Sequence, residues 1–163
     1  MKEILELLEK DCRLTPAQIA AMTGKSEAEV RAQIAELEKN GTIAGYRALI
    51  DWDKTNRELV SAVIELKVRP SRDCGYDAIA ETIYNYPEVR SLQLMSSAGY
   101  DLMLIVEGKT MKEVAYFVAN KLATLDDVVS TATHFVLKKY KDEGFIYGRK
   151  SGDEREQMYD GLQ

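Results

Sequence analysis

Histidine occurs once in the 163 residues, at His134, so a catalytic histidine–carboxylate or cysteine–histidine arrangement would have to include that position. Its neighbours Thr133 and Phe135 offer no obvious nucleophile, which argues against an enzyme and for a packed or interface histidine. Cysteine occurs twice, as Cys12 and Cys74, far apart and without a partner at metal-ligand spacing. Both read as reduced thiols, and no metal or other cofactor is expected. No apolar run approaches the roughly 18 residues that span a bilayer. The first residues enter a charged amphipathic segment rather than a signal-peptide core, so a cytoplasmic protein without a membrane partner is the expectation. A basic excess is missing as well, since 22 Lys and Arg face 27 Asp and Glu for a net charge of -5. Nucleic-acid binders usually carry the opposite balance, so any DNA binding must come from a local patch.

What is present is the composition of a globular protein, 45% apolar and 30% charged, at a length suited to two small domains. Ile4, Leu5 and Leu8 mark a short amphipathic helix. Thr15-Pro16-Ala17-Gln18 opens a second, with Thr as N-cap, Pro at the first helical position and Gln closing a capping box. After Thr23-Gly24-Lys25, Ser26-Glu27-Ala28-Glu29 is a second capping box, opening a helix with the apolar stripe Val30, Ile34 and Leu37. Asn40-Gly41 suits a left-handed C-cap. Two short helices around a Gly-containing turn, after a supporting helix, form the helix-turn-helix pattern. Residues 42–50 alternate imperfectly and read as a strand or small wing, and the polar stretch 51–59 reads as a linker. Tyr46 and Trp52 beside it are expected to be packing anchors between domains.

The remainder has another rhythm. Residues 60–68 are a β-branched strand ended by Arg69-Pro70. Tyr76, Ile79, Ala80 and Ile83 define a helix stopped at Tyr86-Pro87. Residues 89–95 and 102–106 are strands joined through Ser96-Ser97-Ala98-Gly99-Tyr100-Asp101, where Gly99 suits a tight hairpin. Thr110-Met111-Lys112-Glu113 is a third capping box before a helix burying Val114, Phe117, Val118 and Leu122. Residues 128–137 alternate as a last strand, with Val129, Thr131, Thr133, Phe135 and Leu137 on one face and Ser130, Ala132, His134 and Val136 on the other. The class is therefore α+β: an N-terminal winged helix-turn-helix, then a ferredoxin-like βαββαβ domain with two helices on one sheet face. The bare face is expected to dimerise. The expected division is a winged helix-turn-helix at 1–50, a linker at 51–59, an effector-binding and dimerisation domain at 60–140 and an extension at 141–163, the polar stretch from Glu143 onward being partly helical or loosely ordered.

The helix-turn-helix, Gly41-Thr42-Ile43-Ala44-Gly45-Tyr46, Ala98-Gly99-Tyr100-Asp101 and Thr131-Ala132-Thr133, in this order, resemble the Lrp/AsnC, or feast/famine, transcription regulators over about residues 1–140. The ending Thr131 to Tyr140 is similar to a Firmicutes-like branch. The resemblance implies homodimers that bind double-stranded DNA on the nucleoid, assemble further, often to octamers, and answer to an amino acid or related small molecule.

A recognition helix places its N-terminal residues in the major groove, which singles out Lys25, Ser26, Arg31 and Gln33, with Thr15 and Gln18 near the backbone. Here the chain departs from its relatives. Three basic residues of 25–40 (Lys25, Arg31, Lys39) face four acidic ones (Glu27, Glu29, Glu36, Glu38), and Gln33, Ala35 and Glu36 stand where relatives commonly carry basic residues. Weak binding per protomer is expected, offset by joining several heads on one oligomer. A winged helix that has lost its DNA role is the bland alternative.

A free amino acid needs an anionic acceptor for its ammonium and N–H or hydroxyl donors for its carboxylate. Asp101 suits the first; Ser97, Ala98, Gly99 and Tyr100, with Ser130, Thr131 and Thr133, suit the second, Gly99 allowing close approach. Ordinary hairpin and strand chemistry is the competing account of the same residues. Two further readings stay open: a DNA-organising nucleoid protein without an effector, and an enzyme on the scaffold of certain tetrapyrrole decarboxylases, which depend on histidines this chain lacks.

Overall fold

Ile4 and Leu8 lie one turn apart and are buried with Ile19, Ala20 and Val30, and this contact gathers three helices into one small core. They are α1 (Lys2–Lys10), α2 (Pro16–Thr23) and α3 (Glu27–Lys39) in a computed structural model that describes residues 1–70 and 75–147. Cys74 and the expected extension beyond 147 lie outside the described residues, while Cys12 is free and exposed.

Both capping boxes at the paired helices form. Thr15 Oγ1 accepts the Gln18 N–H at 3.3 Å while Gln18 Oε1 accepts the Thr15 N–H at 2.8 Å; Ser26 and Glu29 repeat the exchange at 3.3 and 2.9 Å. Gly24, between the helices, adopts φ +68°, the left-handed conformation that ends α2 without steric cost. Gly41 does the same after α3 at φ +76°. Thr15→Ala or Ser26→Ala should each destabilise the first unit by about 1 kcal/mol, since an orphan helix N–H loses its acceptor, and Thr15→Ser should not. Amide hydrogen exchange in α2 and α3 reads this directly.

The chain divides into two compact units, Met1–Ile50 and Asp51–Gln163. No strand forms over residues 42–50, contrary to the reading of a wing: Tyr46 instead turns its hydroxyl to Glu38 Oε1 at 3.0 Å. The imperfect alternation gives this stretch neither a continuous apolar face nor a partner strand within its unit. Residues 51–59 carry a 3-10 turn, Trp52–Lys54, and the Arg57 guanidinium stacks 4.3 Å from the Trp52 ring. Each proposed anchor thus finds a partner within its own unit.

The second unit runs β1 (Val60–Val68), α4 (Asp77–Tyr84), β2 (Val89–Leu94), β3 (Leu102–Gly108), α5 (Met111–Phe117) with a π-helical turn (Val118–Leu122), and β4 (Val128–Phe135). The sheet order is β2-β3-β1-β4, all antiparallel pairs, which is the ferredoxin-like arrangement. Ala62, Ile64, Leu66 and Val68 of β1 and Leu102, Leu104 and Val106 of β3 face Ile79, Ile83, Val114, Phe117, Val118 and Leu122. Strand alternation therefore puts Val63, Glu65 and Lys67 with Met103, Ile105 and Glu107 on the other face, which no helix among the described residues of this unit covers.

Four local expectations need correction. At Thr110 the third box is only half formed: Thr110 Oγ1 accepts the Glu113 N–H at 3.1 Å, but the Glu113 carboxylate takes the Lys109 N–H, one residue earlier. In β4 the register slips, Val68 pairing with Val128 and Lys67 with Ser130, so Val129 is bulged out and leaves the face it was assigned. Gly99 is not in a left-handed turn, because seven residues, 95–101, bridge the last pair Leu94–Leu102 and relieve the need for one. Finally, the start of the expected extension forms a hairpin, β5 (Lys141–Asp142) and β6 (Phe145–Ile146). Glu143 and Gly144 both take positive φ, 46° and 84°, as a type I′ turn requires.

Candidate functional site

The outward face of α3 follows from its pitch. Val30 and Leu37 are buried, so at 3.6 residues per turn the opposite side carries Ala28, Ala32, Ala35 and Lys39, all exposed. Glu27, Arg31 and Glu38 flank it on one side, Glu29 and Glu36 on the other. The two cations nearest the N-terminus are both paired within the chain. Lys25 Nζ lies 3.0 Å from Glu3 Oε2 on α1, and Arg31 donates from Nε at 2.9 Å and from Nη2 to Glu27 Oε1. The Lys25 ammonium holds the Glu3 carboxyl below its ordinary range. Thr15, Gln18 and Ser26 are held in the caps, Ser26 also donating its hydroxyl proton to Glu29 Oε2 at 2.7 Å. Gln33 sits beside the buried stripe, its Oε1 enclosed without a hydrogen-bond partner, so it is not presented to a groove. Of the six residues singled out for DNA, Arg31 keeps an exposed guanidinium on the flank of α3, paired with Glu27.

In the second unit, strand register decides which candidate residues meet. Asp101 N–H donates to Leu66 O at 2.9 Å, and Lys67 pairs with Ser130, so Asp101, Lys67 and Ser130 form one row across the uncovered face. Thr131 and Thr133 pair with Leu66 and Ile64, whose side chains lie in the core, and so project to the helix-covered side. The proposed set is thereby split between two faces. Ser97, Ala98 and Gly99 are exposed, with the Gly99 N–H turned back to Ser97 Oγ at 3.3 Å, while Tyr100 is half-buried. A Cβ at Gly99 would meet nothing within 4 Å, so close approach by this chain does not require the glycine.

Asp101 is the centre of this row. Its Oδ2 accepts the Val68 N–H at 2.9 Å, which holds the carboxyl below the ordinary carboxylate value against the opposing effect of burial. Lys67 Nζ, 3.1 Å from Oδ1, and a hydrogen bond from Tyr76 lower it further. Lys67 was missed by reading the sequence. Its position opposite Asp101 exists only once β1 and β3 are paired, although its place on the polar phase of β1 was a usable signal. His134 lies on the same uncovered face, more than half exposed, with Nε2 3.6 Å from Glu65 Oε2. Among the described residues no group of three metal-ligating side chains comes together, and no helix is long and apolar enough to cross a membrane.

A cap-defined helix pair with an outward third helix, joined to a ferredoxin-like unit, defines a two-part DNA-binding regulator. Residues 1–44 match the winged helix-turn-helix DNA-binding family, and residues 61–145 match the Lrp/AsnC ligand binding domain. The chain belongs to the Lrp/AsnC family of transcription regulators. It is 47% identical to YugG of Bacillus subtilis, an uncharacterized HTH-type transcriptional regulator, over 94% of this chain and 92% of that protein. The transcriptional regulator LrpA of Pyrococcus horikoshii is 31% identical over 86% of this chain and 96% of its own length. Among solved structures, the regulator NMB0573 of Neisseria meningitidis in complex with L-Met superposes with a TM-score of 0.69 at 25% identity, covering 86% of this chain and 89% of that one. The Bacillus relative agrees with the Firmicutes-like ending, and relatives of this kind are regulators of transcription.

Proposed function

We propose that this regulator binds specific DNA as a homodimer that assembles further, and that a free amino acid or related small molecule, bound where Asp101, Lys67 and loop 97–100 meet, changes its assembly or DNA affinity. The observation that carries this is the ion pair of Asp101 and Lys67 at the end of the sheet, 3.1 Å apart beside an exposed loop. A carboxylate and an ammonium side by side are the complement of a zwitterion. An amino acid would place its ammonium on Asp101 and its carboxylate on Lys67, with Ser130 and the N–H groups of Ala98 and Tyr100 as further donors, exchanging one internal ion pair for two with the ligand. The match to a ligand-binding family over these residues supports the reading. So does a similar regulator that carries L-Met. Thr131 and Thr133 play no part in it. The uncovered sheet face, centred on Val63, Met103 and Ile105, is the dimerisation surface in this account. Acting on double-stranded DNA, the protein works at the nucleoid.

Gel shifts across the twenty amino acids at two salt concentrations test the proposal. At least one amino acid should change DNA affinity by about 5- to 150-fold, the usual span of a coupling between two sites. Sequence-specific binding that no amino acid alters, with no ligand-dependent change in sedimentation, would refute the sensor half alone.

A further inference from the structure

Arg31 stands one turn into α3 with its head exposed, yet it is not free to wander. A guanidinium has five N–H donors in a rigid fork. The Glu27 Oε1 atom takes the Nε proton and one from Nη2, which leaves both protons of Nη1 and the second of Nη2. The unspent pair at the Nη1/Nη2 end has the spacing that matches O6 and N7 of guanine. Side chains on the outward face around it are Ala28, Ala32 and Ala35, too small to hold α3 away from base edges. Glu27 and Glu38 on the same flank of α3 as Arg31 make that flank unfavourable to phosphate, so Arg31 is better placed for a base than for the backbone.

We infer that Arg31 reads a guanine in the major groove and that Glu27 is the positioning residue that aims it, an inference resting on α3 as the DNA-recognition helix. Glu27 fixes the guanidinium plane before DNA arrives, so less side-chain freedom is lost on contact. An acid that merely neutralised Arg31 would weaken all DNA binding alike. A positioning acid lowers binding to unselected DNA yet raises discrimination, so the two accounts part on whether the guanine preference falls when Glu27 is neutralised.

The test is selection of full-length protein against a randomised duplex DNA library, repeated with Arg31→Lys, Arg31→Gln and Glu27→Gln, all exposed positions whose folding is checked by thermal melting. The wild type should enrich a motif with a guanine in each half-site. Arg31→Lys keeps the charge but not the fork, and because a lysine can also donate to guanine it should weaken the preference at that position without abolishing it. Arg31→Gln should lose preference at that position by on the order of 10- to 100-fold and bind all DNA more weakly. Glu27→Gln should blunt the guanine preference while raising affinity for unselected DNA. A guanine retained by Arg31→Gln overturns the inference; Glu27→Gln with undiminished guanine preference overturns the positioning role. A wild type that enriches no motif overturns the specific-regulator reading beneath both.

Discussion

Asp101→Ala should abolish the amino-acid response and loosen the second unit together, whereas Asp101→Asn should separate the two effects. The Asp101 carboxylate does two jobs in the structure: Oδ2 accepts the Val68 N–H and Oδ1 faces Lys67. Alanine removes both, leaving a half-buried backbone donor unsatisfied, a loss of about 1.5–3 kcal/mol for a hydrogen bond to a charged group. Asparagine retains an oxygen for Val68 N–H, so most of that stability should remain, but it offers no charge to a ligand ammonium. Effector binding, measured by calorimetry, should weaken about 10- to 100-fold in both variants, which is roughly 1.4–2.7 kcal/mol. Acid titration gives an independent check. Because the folded-state carboxyl sits below its ordinary value, Asp101 contributes stability that is complete above the unfolded carboxylate range and is lost as pH falls through the depressed folded value. Asp101→Asn should lack that part of the acid limb. Asp101→Asn protein with wild-type effector affinity would reduce Asp101 to a strand-end cap.

Residues whose partners are close in sequence were the legible ones. The Thr15–Gln18 and Ser26–Glu29 boxes, the Val30–Leu37 stripe and β1 with its burial alternation all rest on spacings of two to seven residues, where backbone geometry leaves few options. Glu27–Arg31 was equally readable as an i,i+4 pair. What stayed hidden depends on register or on contacts between elements. Glu3 reaches Lys25 across 22 positions, from one helix to the turn before another. Alternation alone puts Thr131 and Thr133 on the face opposite Ser130, but that theirs is the helix-covered face follows only from the pairing to Leu66 and Ile64. Turn chemistry failed in both directions: Gly99 looked like a hairpin glycine and is not one, while Glu143-Gly144 forms a type I′ turn without the usual Asn or Asp.

The first unit taken alone, residues 1–50, should bind DNA about 10²- to 10⁴-fold more weakly than the full-length oligomer, the gain expected when several weak heads share one assembly. This follows from how its cations are used. Residues 1–50 hold seven Lys and Arg against eight Asp and Glu, so the head has no net positive field to draw it to a duplex. Lys25 is held by Glu3, so its phosphate contact must first displace a carboxylate, while Arg31 is already partnered by Glu27 and adds no free cation. Freeing one cation should be visible in the salt dependence. Glu3→Gln should steepen the slope of log K against log salt by about 0.9 per engaged head, because Lys25 then neutralises a phosphate and releases its counterion. Fluorescence anisotropy of a labelled duplex, titrated from about 50 to 300 mM salt with fragment, full-length protein and variant, measures all three. A fragment that binds as tightly as the full chain would show that a single head suffices, and an unchanged slope in Glu3→Gln would show that Lys25 never reaches the DNA.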